Sequence, residues 1–372
     1  MDFTPTEAQT EARDLAARIF GDLATHERLK AAGTGSDPAL WKSLCAAGLV
    51  GAAADLGLLG LVLLLEEQGR RTAQVPYAAS CVYGVLAVAA HGSPEQRDRL
   101  LPALEDGSVV VTGAFPAQDA VRASVASDYT RPSVASDSVR ASAASAVRGA
   151  VPAASAPGEL TGTVPVVPWL RDASHALVAD TDRRLWLAPL GPGADITPVE
   201  LTAPWSAARL TLDRAPAEPL GGPDAYADVL ATARTAFAGL QAGVCAGSLA
   251  RAVAHVADRE QFGRPLATRQ AVQLRAADAH MDTEAIRVTA YEAAWRRDAG
   301  LPYATHALTA AWWASEAGQR VVHTGQHLHG GAGADLDHPV HRHFLWGRQL
   351  DAYLGCGAEV LQELGELIAS GE

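Results

Sequence analysis

The sequence predicts an α+β fold in three blocks: an N-terminal α-helical domain over 1–107, a central β-domain over 108–219 and a C-terminal four-helix bundle over 220–372. Three observations carry this. Apolar residues recur at helical spacing from Thr6 to about 105. At Ser108 the period shortens, and β-type runs punctuated by proline and glycine follow. From Asp224 onward four long alanine-rich runs appear, the count of an antiparallel bundle.

Taken in order, Thr6 to Phe20 has the spacing of an amphipathic helix. Asp37-Pro38 gives an N-cap followed by proline at the first turn, with Leu40, Trp41 and Leu44 on one face. Ser93-Pro-Glu-Gln96 repeats that start signal before Leu100, Leu101 and Leu104. Val109–Thr112 reads as a buried strand, and Leu160–Val167, His175–Ala179, Arg184–Ala188 and Arg209–Leu212 as further strands. Between about 119 and 158 three near-copies of one Ala/Ser-rich unit follow each other, at Val121–Asp128, Arg131–Ser138 and Val139–Ala146. Such sequence buries too little apolar area to offset its ordering cost, so a flexible surface loop grown by tandem duplication is expected, with a functional lid as the alternative. The helical runs then cover 224–258, 267–298, 303–326 and 344–370. The Gly-rich link at 329–339 is long enough to suggest that a ligand passes there.

With 48% hydrophobic residues in 372, a large core is available. A net charge of -12 argues against nucleic acid and against an anionic membrane surface as partners. The apolar run Leu56–Leu65 is too short to span a bilayer. Cys45, Cys81, Cys245 and Cys356 are scattered, which suits reduced residues of a cytoplasmic protein, and the polar start Met1-Asp-Phe-Thr-Pro5 does not read as a signal peptide.

The chain is organised around Asp258-Arg-Glu-Gln-Phe-Gly-Arg-Pro265, between the first two long runs. Gly263 permits positive φ, and Pro265 favours the first turn of the next helix. A mere connection would not need Arg259 and Phe262. Together they suit a flat, phosphate-bearing ligand, guanidinium to pyrophosphate and ring to aromatic system. Arg-x-x-Phe-Gly-x-Pro-x-x-x-x-Gln-x-x-Gln, Arg259 to Gln273, resembles the matching segment of the FAD-dependent acyl-CoA dehydrogenases. So does His327-Leu-His-Gly-Gly-Ala-Gly333, followed by Pro339 and Arg342. Trp41 to Gly51, Leu65 to Arg70 and Gly92 to Gly107 also match that family, so the resemblance spans nearly the whole chain.

The resemblance implies a fold of N-terminal helices, central β-domain and C-terminal bundle, FAD as cofactor, and α,β-desaturation of an acyl thioester on CoA or another carrier. Such chemistry needs a base for the α proton and a flavin to take the β hydride. By the same resemblance, Arg259, Gln261 and Phe262 hold FAD across a subunit interface. Gly330 and Gly331 approach it closely, His327 stands where a glutamine donor is usual, and Thr112, with Asp119 beyond it, belongs to the loop against the isoalloxazine. The bland alternatives are an ordinary helix-end cation at Arg259 and an ordinary helix cap at Gly330-Gly331.

The base is missing. One family position for it falls on Leu354, in Tyr353-Leu-Gly-Cys-Gly-Ala358. The other falls on Ala233, followed by Arg234 as possible support. Neither side chain accepts a proton. Asp228, Asp351 and Glu359 lie nearby in sequence, but acids on helix faces are usually solvated. His323, His327, His329, His338, His341 and His343 crowd one region, yet no metalloprotease pattern or cysteine pair accompanies them, so no metal is expected. The pattern around 327–355 is similar to the branch acting on steroid side-chain thioesters, in which two different dehydrogenase chains assemble and one lacks catalytic groups. The primary expectation is therefore a subunit of a hetero-oligomer whose second dehydrogenase-like chain supplies the base, with an electron-transfer flavoprotein or similar acceptor. A homomeric flavoenzyme of diverged chemistry and a non-catalytic assembly subunit are the alternatives.

Overall fold

The computed structural model describes residues 2–115, 121–125 and 157–371. The helices α1 (Glu7–Leu23), α2 (His26–Ala32), α3 (Pro38–Ala46) and α4 (Ala52–Arg71) come first. An apolar helix follows over Tyr77–His91, made of α5 (Tyr77–Ala79), a π-helical segment (Ser80–Leu86) and α6 (Ala87–His91), and then α7 (Pro94–Glu105). The local start signals act as the sequence predicts. Asp37 accepts from the N–H groups of Ala39 and Leu40 with Pro38 in the first turn, and Ser93 and Gln96 form a reciprocal capping box. Helix α4 contains a break that is not evident in the sequence: Gly57 takes φ 71°, and the N–H groups freed there, those of Leu58 and Leu59, donate to the carboxylate of Asp298 at 2.8 and 2.9 Å.

The strands β1 (Val111–Ala114), β2 (Arg122–Val125), β3 (Gly158–Val167), β4 (His175–Ala179), β5 (Leu185–Pro189), β6 (Ala194–Pro198) and β7 (Ala208–Pro219) form one sheet in the order β1-β4-β5-β7-β3-β2, with β6 also paired to β7. Strands β1 and β4 run parallel with Val111 opposite His175; the other pairs are antiparallel. Strand β6 was not expected: its side chains are at most half-buried, so the sequence carries little apolar alternation there. The expected loop over 119–158 needs a partial correction. Arg122–Val125 pairs with Gly158–Thr161 as a strand, because a long β3 offers it a free edge. Residues 116–120 and 126–156, and Asp119 with them, lie outside the described residues.

Helices α8 (Ala225–Asp258), α9 (Gln270–Asp298), α10 (Ala304–His329), α11 (Val340–Asp351) and α12 (Gly357–Ser370) complete the chain. The run expected over 344–370 is two helices, separated where Leu354 and Gly355 take φ 66° and 108°. Pro265 does not open a helix either. It ends a two-stranded hairpin, β8 (Glu260–Gln261) with β9 (Arg264–Pro265), and a short 3-10 turn (Leu266–Thr268) precedes α9. Helix α8 is long and apolar enough to cross a membrane, but 78% of its most apolar window is buried inside the fold. It packs on α4, α9, α10 and α11, and one continuous core joins the N-terminal helices to the bundle. The four cysteines are unpaired.

Candidate functional site

Two regions bear on function, an exposed hairpin at one end of the bundle and a buried cleft between the three blocks. The hairpin begins where α8 stops. The N–H of Leu266 donates to the carbonyl of Arg259 at 2.8 Å, closing the turn. Its two central residues, Phe262 and Gly263, both have positive φ, 56° and 74°, the signature of the tight turn that asparagine-glycine usually supplies. Phenylalanine is strained there, and its ring is 92% exposed. Neither folding nor local propensity favours such a placement. A small cluster of Ala252, Val256 and Leu328, with Leu266, Ala267 and Val272 against it, ties the hairpin to the end of α10. This brings Arg259, Gln261 and Phe262 to the same end of the bundle as His327, Gly330 and Gly331, all of them exposed. A Cβ at Gly330 or Gly331 would meet nothing within 4 Å, so both present open backbone. His327 lines an open groove of about 670 Å³ with Arg275, Arg320 and His323.

The buried cleft is filled. Tyr83, from the π-helical segment, stacks on Phe115 with ring centroids 5.2 Å apart, and Phe115 stacks on Tyr226 of α8 at 5.7 Å. Trp169 stacks on Trp205 at 4.4 Å, and Phe237 meets Tyr353 edge-on at 4.7 Å. The hydroxyls of Tyr83 and Tyr353 lie 2.8 Å apart, and burial pushes both phenols up, so both stay neutral. Thr112 lies in the wall of this cleft. It is 1% exposed and its hydroxyl donates to the carbonyl of Pro168 at 2.6 Å, a partner inside the protein rather than a free donor facing a ligand.

Ala233 is fully buried and Leu354 is 4% exposed. Arg234 links them: its Nε donates to the Leu354 carbonyl at 3.3 Å, and its other two nitrogens grip Glu363 at 2.8 and 2.7 Å. The space bounded by Arg234, Phe237, Tyr353 and Leu354 amounts to about 20 Å³, room for a water and no more. Outside it a pocket of about 560 Å³ opens past Tyr226, Leu230, Leu308 and Glu363. The acids near this point are occupied. Burial opposes ionisation of Asp228, but hydrogen bonds from His91 and Tyr303 and the Arg297 charge outweigh it and hold its carboxyl at about 2. Asp351 accepts from Ser315 and pairs with Arg348 at 2.9 Å, and Glu359 caps the N–H of Cys356 at 3.0 Å. None is placed as a general base. The aromatic wall escapes sequence reasoning, because its rings come from six separated segments. Arg269, whose guanidinium lies 5.3 Å from the Phe262 ring centroid, occupies an unspecified position of the Arg259–Gln273 pattern, so the pattern carries no signal for it.

The histidines form packing contacts. His255 stacks on His329 at 4.7 Å, His338 meets His329 at 5.0 Å, and among the described residues no three His, Cys, Asp or Glu side chains converge on a metal position. His343 is fully enclosed, its Nε2 donating to the Arg70 carbonyl at 3.1 Å, and burial pushes its imidazole down to about 4. The folded form thus keeps His343 neutral while the unfolded chain protonates it near the ordinary value. Stability from this site is complete above pH about 6.5 and falls as pH drops toward 4, by about 3 kcal/mol at most. Urea unfolding followed across that range should show the loss, and His343→Gln, which keeps a donor and cannot titrate, should flatten it.

Two family models match the chain: the N-terminal domain of acyl-CoA dehydrogenase over residues 6–108 and its C-terminal domain over 221–364. The acyl-CoA dehydrogenase FadE27 of Mycobacterium tuberculosis is 33% identical over 399 residues, covering 99% of both chains. The ChsE4-ChsE5 complex of the same organism superposes with a TM-score of 0.86 at 30% identity and 99% coverage of each chain. A variant of the Tcur3481-Tcur3483 steroid ACAD superposes with a TM-score of 0.85 at 41% identity and 98% coverage of each. The chain belongs to the acyl-CoA dehydrogenase family, whose members are FAD-dependent oxidoreductases acting on CH–CH groups.

Proposed function

We propose that this chain is the non-catalytic subunit of a hetero-oligomeric acyl-CoA dehydrogenase. A second dehydrogenase-type chain carries the base, and this chain lends its exposed hairpin to a FAD at the shared interface. The observation that carries the reading is the strained, outward Phe262 on a chain whose own cleft is filled with rings. Two relatives are described as paired chains, one of them a steroid ACAD, which favours a bulky steroid-type acyl-CoA thioester as substrate. The reading also implies a flavoprotein-type electron acceptor and a cytoplasmic setting.

The residues fit the cofactor on one side only. Arg259 has a guanidinium free of ion pairs among the described residues, Phe262 offers an aromatic face, Gln261 and His327 offer donors, and Gly330 and Gly331 allow close approach. Inside the chain, Thr112 is buried against Pro168, and Trp169 and Trp205 stack on each other. The chemistry a bound FAD supplies is acceptance of a hydride. This chain's share is to hold and orient it and to seal the interface against water.

The test compares the full chain purified alone with the chain co-expressed with a second dehydrogenase-type chain that carries a glutamate at the position of Ala233 or Leu354. Alone it should lack the visible absorbance of bound flavin and fail to reduce a dye with acyl-CoA. The co-purified complex should be yellow and active. A yellow, active homo-oligomer of this chain alone defeats the proposal.

A further inference from the structure

Arg269 has no role in the reading so far, yet its surroundings are specific. Its backbone is fixed at the head of α9: its N–H donates to Leu266, and its carbonyl accepts from Val272 and Gln273 at 3.0 and 3.1 Å. From that anchor the side chain returns to the hairpin. Nη2 donates to the carbonyl of Gln261 at 3.3 Å, and the guanidinium carbon lies 5.3 Å from the centre of the Phe262 ring. Nε is buried with no hydrogen-bond partner, and Arg269 forms no ion pair among the described residues. Arg259 and Arg264 are likewise without an ion pair, on a chain of net charge -12, while Asp258 and Glu260 in the same stretch pair with none of them.

We infer that Arg269 is a positioning residue that holds the Phe262 ring in its ligand-ready posture and leaves a cation beside the anionic part of a dinucleotide. The inference rests on the reading of Phe262 as a cofactor contact. An unsupported phenylalanine at φ 56° samples many rotamers, and ordering it on binding costs affinity. A cation against one ring face restrains it beforehand and leaves the other face for a flat ligand. The bond to Gln261 fixes the hairpin strand that bears this ring. A planar fork does both at once; an ammonium at the same place keeps charge and cation–π attraction but lacks the fixed fork that reaches ring and carbonyl together.

The test places 4-fluorophenylalanine at position 262 of the full chain and follows its fluorine resonance. In the otherwise native chain the resonance should be displaced from that of an unrestrained ring. Arg269→Gln should return it to the unrestrained value, and Arg269→Lys should fall between. FAD is then titrated into the apo form of the two-chain complex. Arg269→Gln should weaken binding about tenfold, the scale of one exposed cation–π contact with one hydrogen bond, while the melting temperature stays unchanged. Phe262→Ala should weaken it at least as much. An identical resonance in all three chains sinks the role of Arg269. Undiminished FAD binding by Arg269→Gln sinks it as well, and leaves the cofactor reading standing if Phe262→Ala still binds weakly. If Phe262→Ala binds FAD as tightly as the native complex, the cofactor reading itself is wrong.

Discussion

Gly243→Ala should leave this chain unable to fold to a stable state. A Cβ at Gly243 would sit 2.1 Å from the backbone oxygen of Glu66, and one at Gly69 would sit 2.2 Å from that of Leu240. Helices α4 and α8 therefore touch backbone to backbone at these two glycines. No side chain can rotate away from such a clash, so the helices themselves must separate. That separation strips contacts from the core they share with Val62 and Leu240 and opens voids along it. The expected loss is about 4 kcal/mol or more, beyond the usual cost of overpacking and a large part of a domain's stability. The urea midpoint, or the soluble yield where no transition is measurable, reads the effect. Gly191→Ala is the control, because a Cβ there meets nothing within 4 Å. A Gly243→Ala chain with the native midpoint would show that the two helices are not held at this distance.

That contact is also a lesson in what the sequence displays. Gly239, Gly243 and Gly247 recur every four residues, so the close-approach face of α8 is written in plain view. Its meaning needs the partner helix, which no local pattern names. Caps are the opposite case. Asp37-Pro38 and Ser93 with Gln96 act on their own first turns, so their chemistry is complete within four residues and could be read directly. The break between α11 and α12 had a signal in Gly355 and Gly357, but the apolar spacing on both sides disguised it as one helix. That Ala233 and Leu354 carry no carboxylate is legible because it concerns two defined positions. The wall of rings behind them was not, since Tyr83, Trp169, Trp205, Phe237 and Tyr353 meet only once the three blocks have packed. Phe262 stood out in the sequence as a residue that a mere connection would not need. That it would stand almost wholly exposed at positive φ was not, because backbone sign is set by the hairpin register.

Leu354→Glu, which places a carboxyl where the resemblance implies a base, should yield no desaturation by this chain and should destabilise it. Leu354 is packed, with Phe237 and Tyr353, around a space of about 20 Å³. An introduced carboxyl has two fates there. It can stay neutral, its pKa raised by burial, in which case it cannot take a proton at neutral pH. Or it can compete for Arg234, whose two terminal nitrogens already hold Glu363, and leave one acid short of a partner. Either fate costs about 2–4 kcal/mol, visible as a fall in the urea midpoint. Catalysis fails for a separate reason. A base works only within hydrogen-bond reach of the proton it removes; on its inner side residue 354 faces Phe237 and Tyr353 across about 20 Å³, and on its outer side, where it lines the pocket of about 560 Å³, Arg234 lies beside it to pair with a new carboxylate. Ala233→Glu, starting from a fully buried position, should behave in the same way. Acyl-CoA-dependent dye reduction with added FAD is the measurement. Turnover gained by either variant in the isolated chain would mean that the rings move aside for substrate and that the lost carboxylate was this subunit's only defect.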